Sequence, residues 1–335
     1  MQRWRRRFLS YLILACLFWT SLIAFSTYIT LRQARVEPTF ESLEQVSELK
    51  AEQLDHWFDQ LKTDFKADLE NFEVRKNANI LLGKKLNNSV EYQEAYRYFY
   101  QYFSQRQQRL ATSLITNNGM VIFSTDPDRE GQYQPLQNTT TYFKLENIDK
   151  AIPNFYQSTI NQMPAITLAT PLLNQSEKRV GVLTIDLNLS DLDQLMGQSI
   201  VPTEQIKELA TIMESYLVGR LSLTTNTIVS NNFSQGQNGK NNDKNNNQIP
   251  RLESYGIDRG LGTESGQAMY LNHNQIPVLG VYRWLPAYRF VLLVEVEQAK
   301  VFDSARHLAG QLFGSGLLLT TVASISLCLT KNSPF

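Results

Sequence analysis

The sequence predicts an α+β chain in which a long helical stalk and two successive modules of antiparallel strands lie between two apolar helices. Three observations carry this: an apolar run at each end, a stripe of apolar residues at steps of three and four, and two series of short β-rich runs separated by turns.

The first run, residues 8–31, holds no charge and meets the roughly 20 helical residues that a bilayer core of about 30 Å requires. Its length and the lack of an Ala-x-Ala-like site just behind it favour an uncleaved anchor over a removable signal. Arg3, Arg5, Arg6 and Arg7 in the tip 1–7 outweigh Arg32 and Arg35 on the far side, which places the N-terminus in the cytoplasm. The second run, 308–330, is diluted by Gln311, Gly310, Gly314 and Gly316, small residues being common where membrane helices pack closely. Two spans export residues 32–307, and the tail 331–335 returns inside. An exported segment works without cytoplasmic ATP or reduced nicotinamide.

Behind the first span, Phe40, Leu43, Val46, Leu54, Trp57, Phe58, Leu61, Phe65, Leu69 and Phe72 form the stripe of one amphipathic helix. With no Pro or Gly after Pro38, it reaches roughly 50 Å as a stalk, assigned to 32–75. A second helix is expected over Tyr92–Gln107. Two β-rich runs then flank Asn117-Asn118-Gly119, a hairpin signal. PAITLATPLL and KRVGVLTIDLNL make a further strand pair, and a short helix follows around Leu189–Met196. The order repeats with ESYLVGRLSL, TIVSNNF, GQAMYLNHNQIPVLGVYRWLP and YRFVLLVEVEQAKVF. The modules are assigned to 76–200 and 201–307, and the Asn-rich stretch 231–248 is expected to be a disordered loop.

Composition excludes several functions. Cys16 and Cys328 lie in the two apolar runs, so the exported part has no disulfide or thiolate chemistry. Formal charge is zero overall, and removing the basic tips leaves the exported part mildly acidic, against a nucleic-acid partner. His56, His273 and His307 have no metal-ligand spacing and read as surface residues. Ser124, Asp126 and Asp128 supply nucleophile and carboxylate types, but no elbow or paired His accompanies them, and Asp-Pro-Asp reads as a turn. No enzyme activity and no cofactor are expected.

In SELKAEQLDHWFDQLKTDF, VGVLTIDLNLSDL, ESYLV and the run ESGQAMYLNHNQIPVLGVYRWLPAYRFVLLVEVEQAKVF, the chain resembles the double Cache family of bacterial extracytoplasmic sensors. The resemblance implies two tandem PAS-like modules, the membrane-distal one holding a small ligand and the proximal one passing movement to the second span. It also implies a homodimer. Family members commonly continue into a histidine kinase, cyclase or chemotaxis domain, whereas only KNSPF follows Thr330. The expectation is a truncated receptor, a split-gene product or a stand-alone sensor with a separate cytoplasmic signalling protein.

The family's amino-acid-binding branch places an Asp at the end of the last distal strand, where it holds the ligand ammonium, and Asp186 stands there. Its Arg-x-Trp-Tyr cluster is missing, since the region reads Thr139-Thr140-Thr141-Tyr142-Phe143. The expected site is Asp186 with Tyr142 and Tyr156 as aromatic walls and Thr167, Thr170 and Thr184 as hydroxyls, suited to an amine or amino-acid-like ligand by cation–π attraction. The alternative is an interaction module that binds no small molecule and pairs with a second copy or another receptor through its stalk.

Overall fold

A computed structural model describes residues 2–83, 89–106, 109–133, 154–157, 164–174, 176, 178–187, 189–198, 207–220, 226–229 and 252–329. Tyr142, the stretch 231–248 and the tail 331–335 lie outside the described residues.

Helix α1, Gln2–Glu70, joins the first apolar run and the stalk in one element of 69 residues, about 100 Å long. Pro38 sits inside it. Its ring costs one hydrogen bond to the carbonyl of Ala34, too little to end a helix held by tertiary packing on both sides. The predicted stripe is the buried face: Leu43, Leu54 and Phe58 are fully buried, and Phe40, Val46, Leu61 and Phe65 nearly so. Phe72 departs from the expectation. The helix breaks at Asn71, whose side chain accepts the amide of Glu73 at 2.9 Å and starts α2, Phe72–Gly83, leaving Phe72 68% exposed. Before the break, buried Asp68 takes Arg109 at 2.6 Å, Arg106 at 2.7 Å and the Tyr102 hydroxyl at 2.9 Å. Tyr102 belongs to α3, Val90–Ser104, and Arg106 lies just beyond its C-terminal end.

The first sheet contains β1 (Arg109–Thr116), β2 (Val121–Ser124), β3 (Asn154–Gln157), β4 (Pro164–Leu173) and β5 (Arg179–Leu187), ordered β2-β1-β5-β4-β3 and antiparallel throughout. The hairpin falls at Asn117–Gly119, where Gly119 takes φ +87°, a conformation only glycine adopts without strain. Side chains alternate across the sheet. Ile166, Leu168, Leu172, Leu183, Ile185 and Leu187 join the main core with Leu81, Phe99 and Phe103 of α2 and α3. The other face carries Asp186.

Helix α4, Leu189–Gly197, and the single turn α5, Lys207–Ala210, lead to the second sheet. Its strands are β6 (Met213–Arg220), β7 (Asn226–Ile228), β8 (Gly266–Leu271), β9 (Pro277–Leu285) and β10 (Phe290–Glu297), in the order β7-β6-β10-β9-β8. One face packs on α1, where Phe58 stacks on Tyr288 at 4.2 Å and the Tyr288 hydroxyl donates to Asp55 at 2.7 Å. The other is covered by α6, Tyr255–Leu261. Phe155 of β3 bridges the modules: its ring meets Phe290 edge-on at 5.5 Å and fills the space a side chain at Gly219 would need. Strand β10 runs into α7, Gln298–Val301, and then α8, Asp303–Leu329. Thr20 of α1 lies against Gly316 of α8, and both helices are long and apolar enough to cross a membrane.

Candidate functional site

Strand β5 carries Asp186 one residue from its end, paired across β1 to Ala111 and across β4 to Thr167. That register fixes which predicted residues can meet. Asp186 and Thr184 share a face of β5, Thr167 and Ala169 lie opposite them on β4, and Tyr156 on β3 points the same way, because Asn154 pairs with Thr167. Ser113 and Ser124, 2.9 Å apart, extend this polar face across β1 and β2.

The structure brings Asp186, Tyr156 and Thr167 together, all buried. The Thr167 hydroxyl donates to Asp186 Oδ1. Thr184 lies on the same face, but its hydroxyl donates to the carbonyl of Ser113 at 3.3 Å. Thr170 is on the other side of the sheet: it pairs with Leu183 and alternates with Leu168 and Leu172, which belong to the helix-side core. An even spacing along the strand would have kept it with Thr184, and the three residues from Thr167 to Thr170 reverse its direction.

The missing partner of Asp186 is Arg129. The turn Pro127–Arg129 follows β2, and Asp126 caps it by accepting the amide of Asp128 at 3.3 Å. The same Asp126 accepts Arg129 Nε at 3.2 Å, and this aims Arg129 Nη1 at Asp186 Oδ2. Burial works against the Arg129 charge, but Asp186 and then Tyr156 and Asp126 outweigh it and raise its pKa above the usual arginine value. The Tyr156 hydroxyl is pushed up to about 12, by burial first and by the Asp186 charge second, with Thr167 and Arg129 opposing. It is therefore a neutral donor at any physiological pH. The arrangement offers a fixed anion, a fixed cation, a hydroxyl and a phenol within one buried face. Among the described residues of this face no nucleophile is paired with a base, and Asp126 serves the turn.

Two further residues escaped the sequence reading. Lys50 sits in the apolar stripe, four positions before Leu54, and is only 1% exposed. Its Nζ donates to the carbonyls of Leu195, Met196 and Gln198 at 2.7, 3.0 and 2.6 Å, so all three ammonium protons close the C-terminal end of α4. Burial lowers its pKa to about 8, which leaves it protonated at neutral pH. A lysine at a stripe position was the readable signal. The second is His273, taken from sequence as a surface residue. It is half-buried with Nδ1 3.3 Å from the Tyr216 hydroxyl, and burial lowers its pKa. Among the described residues no cluster of His, Cys, Asp and Glu could hold a metal ion.

A family model described as a Cache domain matches residues 32–305. Among solved structures, the chain is similar to the sensor domain of the histidine kinase DctB of V. cholerae, with 15% identity and a TM-score of 0.50 over 79% of this chain and 98% of that one. It is also similar to the ligand-binding domain of the Campylobacter jejuni chemoreceptor Tlp3 in complex with 4-methylisoleucine, at 14% identity and TM-score 0.48 over 81% and 94% of the two chains. The ligand-binding domain of the Pseudomonas fluorescens chemoreceptor CtaA in complex with L-isoleucine gives 14%, 0.47, 82% and 98%. No curated protein matches the chain. At these identities the likeness is one of fold.

Proposed function

The chain belongs to the Cache domain family, and from that premise we propose that it is a membrane-anchored extracytoplasmic sensor whose distal module binds a small molecule at Asp186. The observation that carries this reading is the ion pair of buried Asp186 with partly buried Arg129, beside Thr167 and Tyr156. A buried ion pair is costly to desolvate and contributes little net stability against an apolar replacement. It makes sense as a receptor for a ligand that carries both charges. A zwitterion inserted between the two side chains gives Asp186 an ammonium and Arg129 a carboxylate, and neither is left unpaired. Tyr156 then forms one wall and Thr167 supplies the adjacent hydroxyl.

Signal transfer follows from what β5 is joined to. It runs into α4, whose end is held by Lys50 of the stalk and, through the Met196 carbonyl, by the Ser215 hydroxyl of β6 at 2.7 Å. Ligand binding that shifts β5 moves α4 against α1 and against the proximal module at once. The shift is bounded by the ligand's differential affinity for the two packings. In this reading α1 and α8 span the membrane, residues 32–307 are outside, the receptor acts as a homodimer, and a separate cytoplasmic protein reads the output.

The test is a thermal-unfolding screen of the full chain in lipid discs against amino acids, amines, carboxylates, purines and sugars. A ligand at 100 times its Kd adds about 2.7 kcal/mol. A shift by an amino acid or amine that disappears in Asp186→Asn supports the reading, whereas a shift by a simple anion alone, kept in Asp186→Asn, assigns the site to Arg129. One observation favours a second reading: Arg129 already satisfies Asp186, so the site is complete without a ligand. No shift from any class would assign the exported part to an interaction module with no small ligand.

A further inference from the structure

The proximal sheet buries a carboxylate on the strand that corresponds to β5. Glu295 of β10 is 1% exposed, faces the α6 side of its sheet, and stands opposite Gly280 on β9 and Glu214 on β6. Its Oε1 accepts the Tyr270 hydroxyl at 2.7 Å. Tyr270 reaches it because Gly280 has no side chain: a Cβ there would lie 2.3 Å from the Tyr270 oxygen. Apart from β9, which presents Gly280, the elements around Glu295 contribute polar groups. Strand β6 supplies Tyr216 and Glu214, β8 supplies Tyr270, the β8–β9 turn supplies buried Asn272 with His273, and α6 supplies Tyr255 against the Tyr270 ring at 5.8 Å. Lys300 of α7 is engaged with Glu297 at 2.7 Å. Among the described residues no lysine or arginine pairs with Glu295.

From this cluster we propose that the proximal module is a second input, a proton site at Glu295, separate from the distal ligand site and coupled through β10 and α7 to α8. The chemistry supports an equilibrium between two states. Burial pushes the Glu295 carboxyl up to about 7, with the Tyr270, Tyr216 and Asn272 hydrogen bonds opposing and Glu214 adding to the rise. When protonated, the side chain is neutral and is accommodated among hydroxyls. When ionised, it faces Glu214 directly across the ladder, and like charges in that position destabilise a strand pair. Glu214 is exposed at the edge of this cluster, and its carboxyl is itself raised, by partial desolvation first, with Lys300 opposing and Glu297 adding. The conflict falls at the end of the β6–β10 ladder, where only the Val296–Met213 pair follows. Releasing that end disturbs few backbone bonds, and Glu297 stands at the N-cap position of α7, which leads directly into the second apolar helix. The exported side of a membrane is where the pH varies with the surroundings.

The experiment uses the full chain in lipid discs, without ligand, in a Cys16→Ser, Cys328→Ser background. Infrared difference spectra between about pH 5.5 and 8.5 read the protonated carboxyl band, and spin labels at exposed Gln33 and His307 read the spacing of α1 and α8. The expected result is a band lost with a midpoint near neutrality, a label distance that changes with the same midpoint, and both absent in Glu295→Gln. Tyr270→Phe, which keeps the ring and removes one donor to the ionised form, should move both midpoints to higher pH. A distance that does not respond to pH, or one that responds identically in Glu295→Gln, would overturn the proposal. So would a Tyr270→Phe midpoint equal to that of the native protein. The distal ligand screen does not enter this test, so either result can fail alone.

Discussion

The two sheets of this protein share one strand order and bury one carboxylate each on the corresponding strand, yet they hold it in opposite ways. In the distal module a capped turn delivers Arg129, and Asp186 sits in an ion pair. In the proximal module the space is filled by Tyr270, and Glu295 sits among hydroxyls with its pKa near 7. The frame is the same, and what differs is the charge carried by the segment that covers it. A buried pair can be exchanged for a charged ligand, whereas a buried neutral acid exchanges only a proton.

The largest expected effect separates the two carboxylates. Arg129→Met leaves Asp186 buried without its cation and should cost about 3 to 5 kcal/mol in denaturant unfolding. A loss below about 1 kcal/mol would mean that the pair is not closed in solution. The counterpart, Glu295→Gln, should act in the other direction. A carboxyl raised from 4.5 to about 7 in the folded state binds its proton more tightly there than in the unfolded chain. Native stability is then highest below pH 4.5, falls as pH rises to about 7 and stays low above it. Above that window the variant should be more stable than the native chain by up to about 3 kcal/mol, and by nothing below it. Equal stability curves across pH would remove the contrast between the modules.

A smaller effect tests what the two modules share. Lys50→Met removes three hydrogen bonds from the end of α4 and should cost about 2 kcal/mol. It should also uncouple any ligand-dependent change in α1 from ligand binding, measured by label distances in the stalk. The smallest effect lies within the distal sheet. Thr167→Val should reduce the ligand-induced thermal shift by about 1 kcal/mol, and Thr170→Val should leave it unchanged because its side chain faces the helices. Equal losses would contradict the assignment of faces by register.

Much of the fold was legible in local pattern. The stripe from Phe40 to Phe65 has a helical period, the runs around Asn117–Gly119 are β-rich and flank a turn only glycine completes, and Pro286 follows the end of β9 at Leu285. These are properties of neighbours in sequence, set by sterics and by the burial of one face. Continuity through Pro38 was less legible, since one missing hydrogen bond ends a helix or not according to what packs on either side. The exposed Phe72 shows the same limit at the other end of α1.

The candidate site divides along the same line. That Asp186 ends a strand next to Thr167 and Thr184 could be expected from the strand text itself. That Arg129 reaches it from 57 residues away, that Thr170 turns to the other face, and that Lys50 closes α4 across 145 residues were decided by the tertiary structure. Sequence determines which groups must be paired, because a buried charge without a partner is too costly to keep. Only the packing of distant segments decides which partner arrives, because the pairing energy depends on distances that local pattern does not contain.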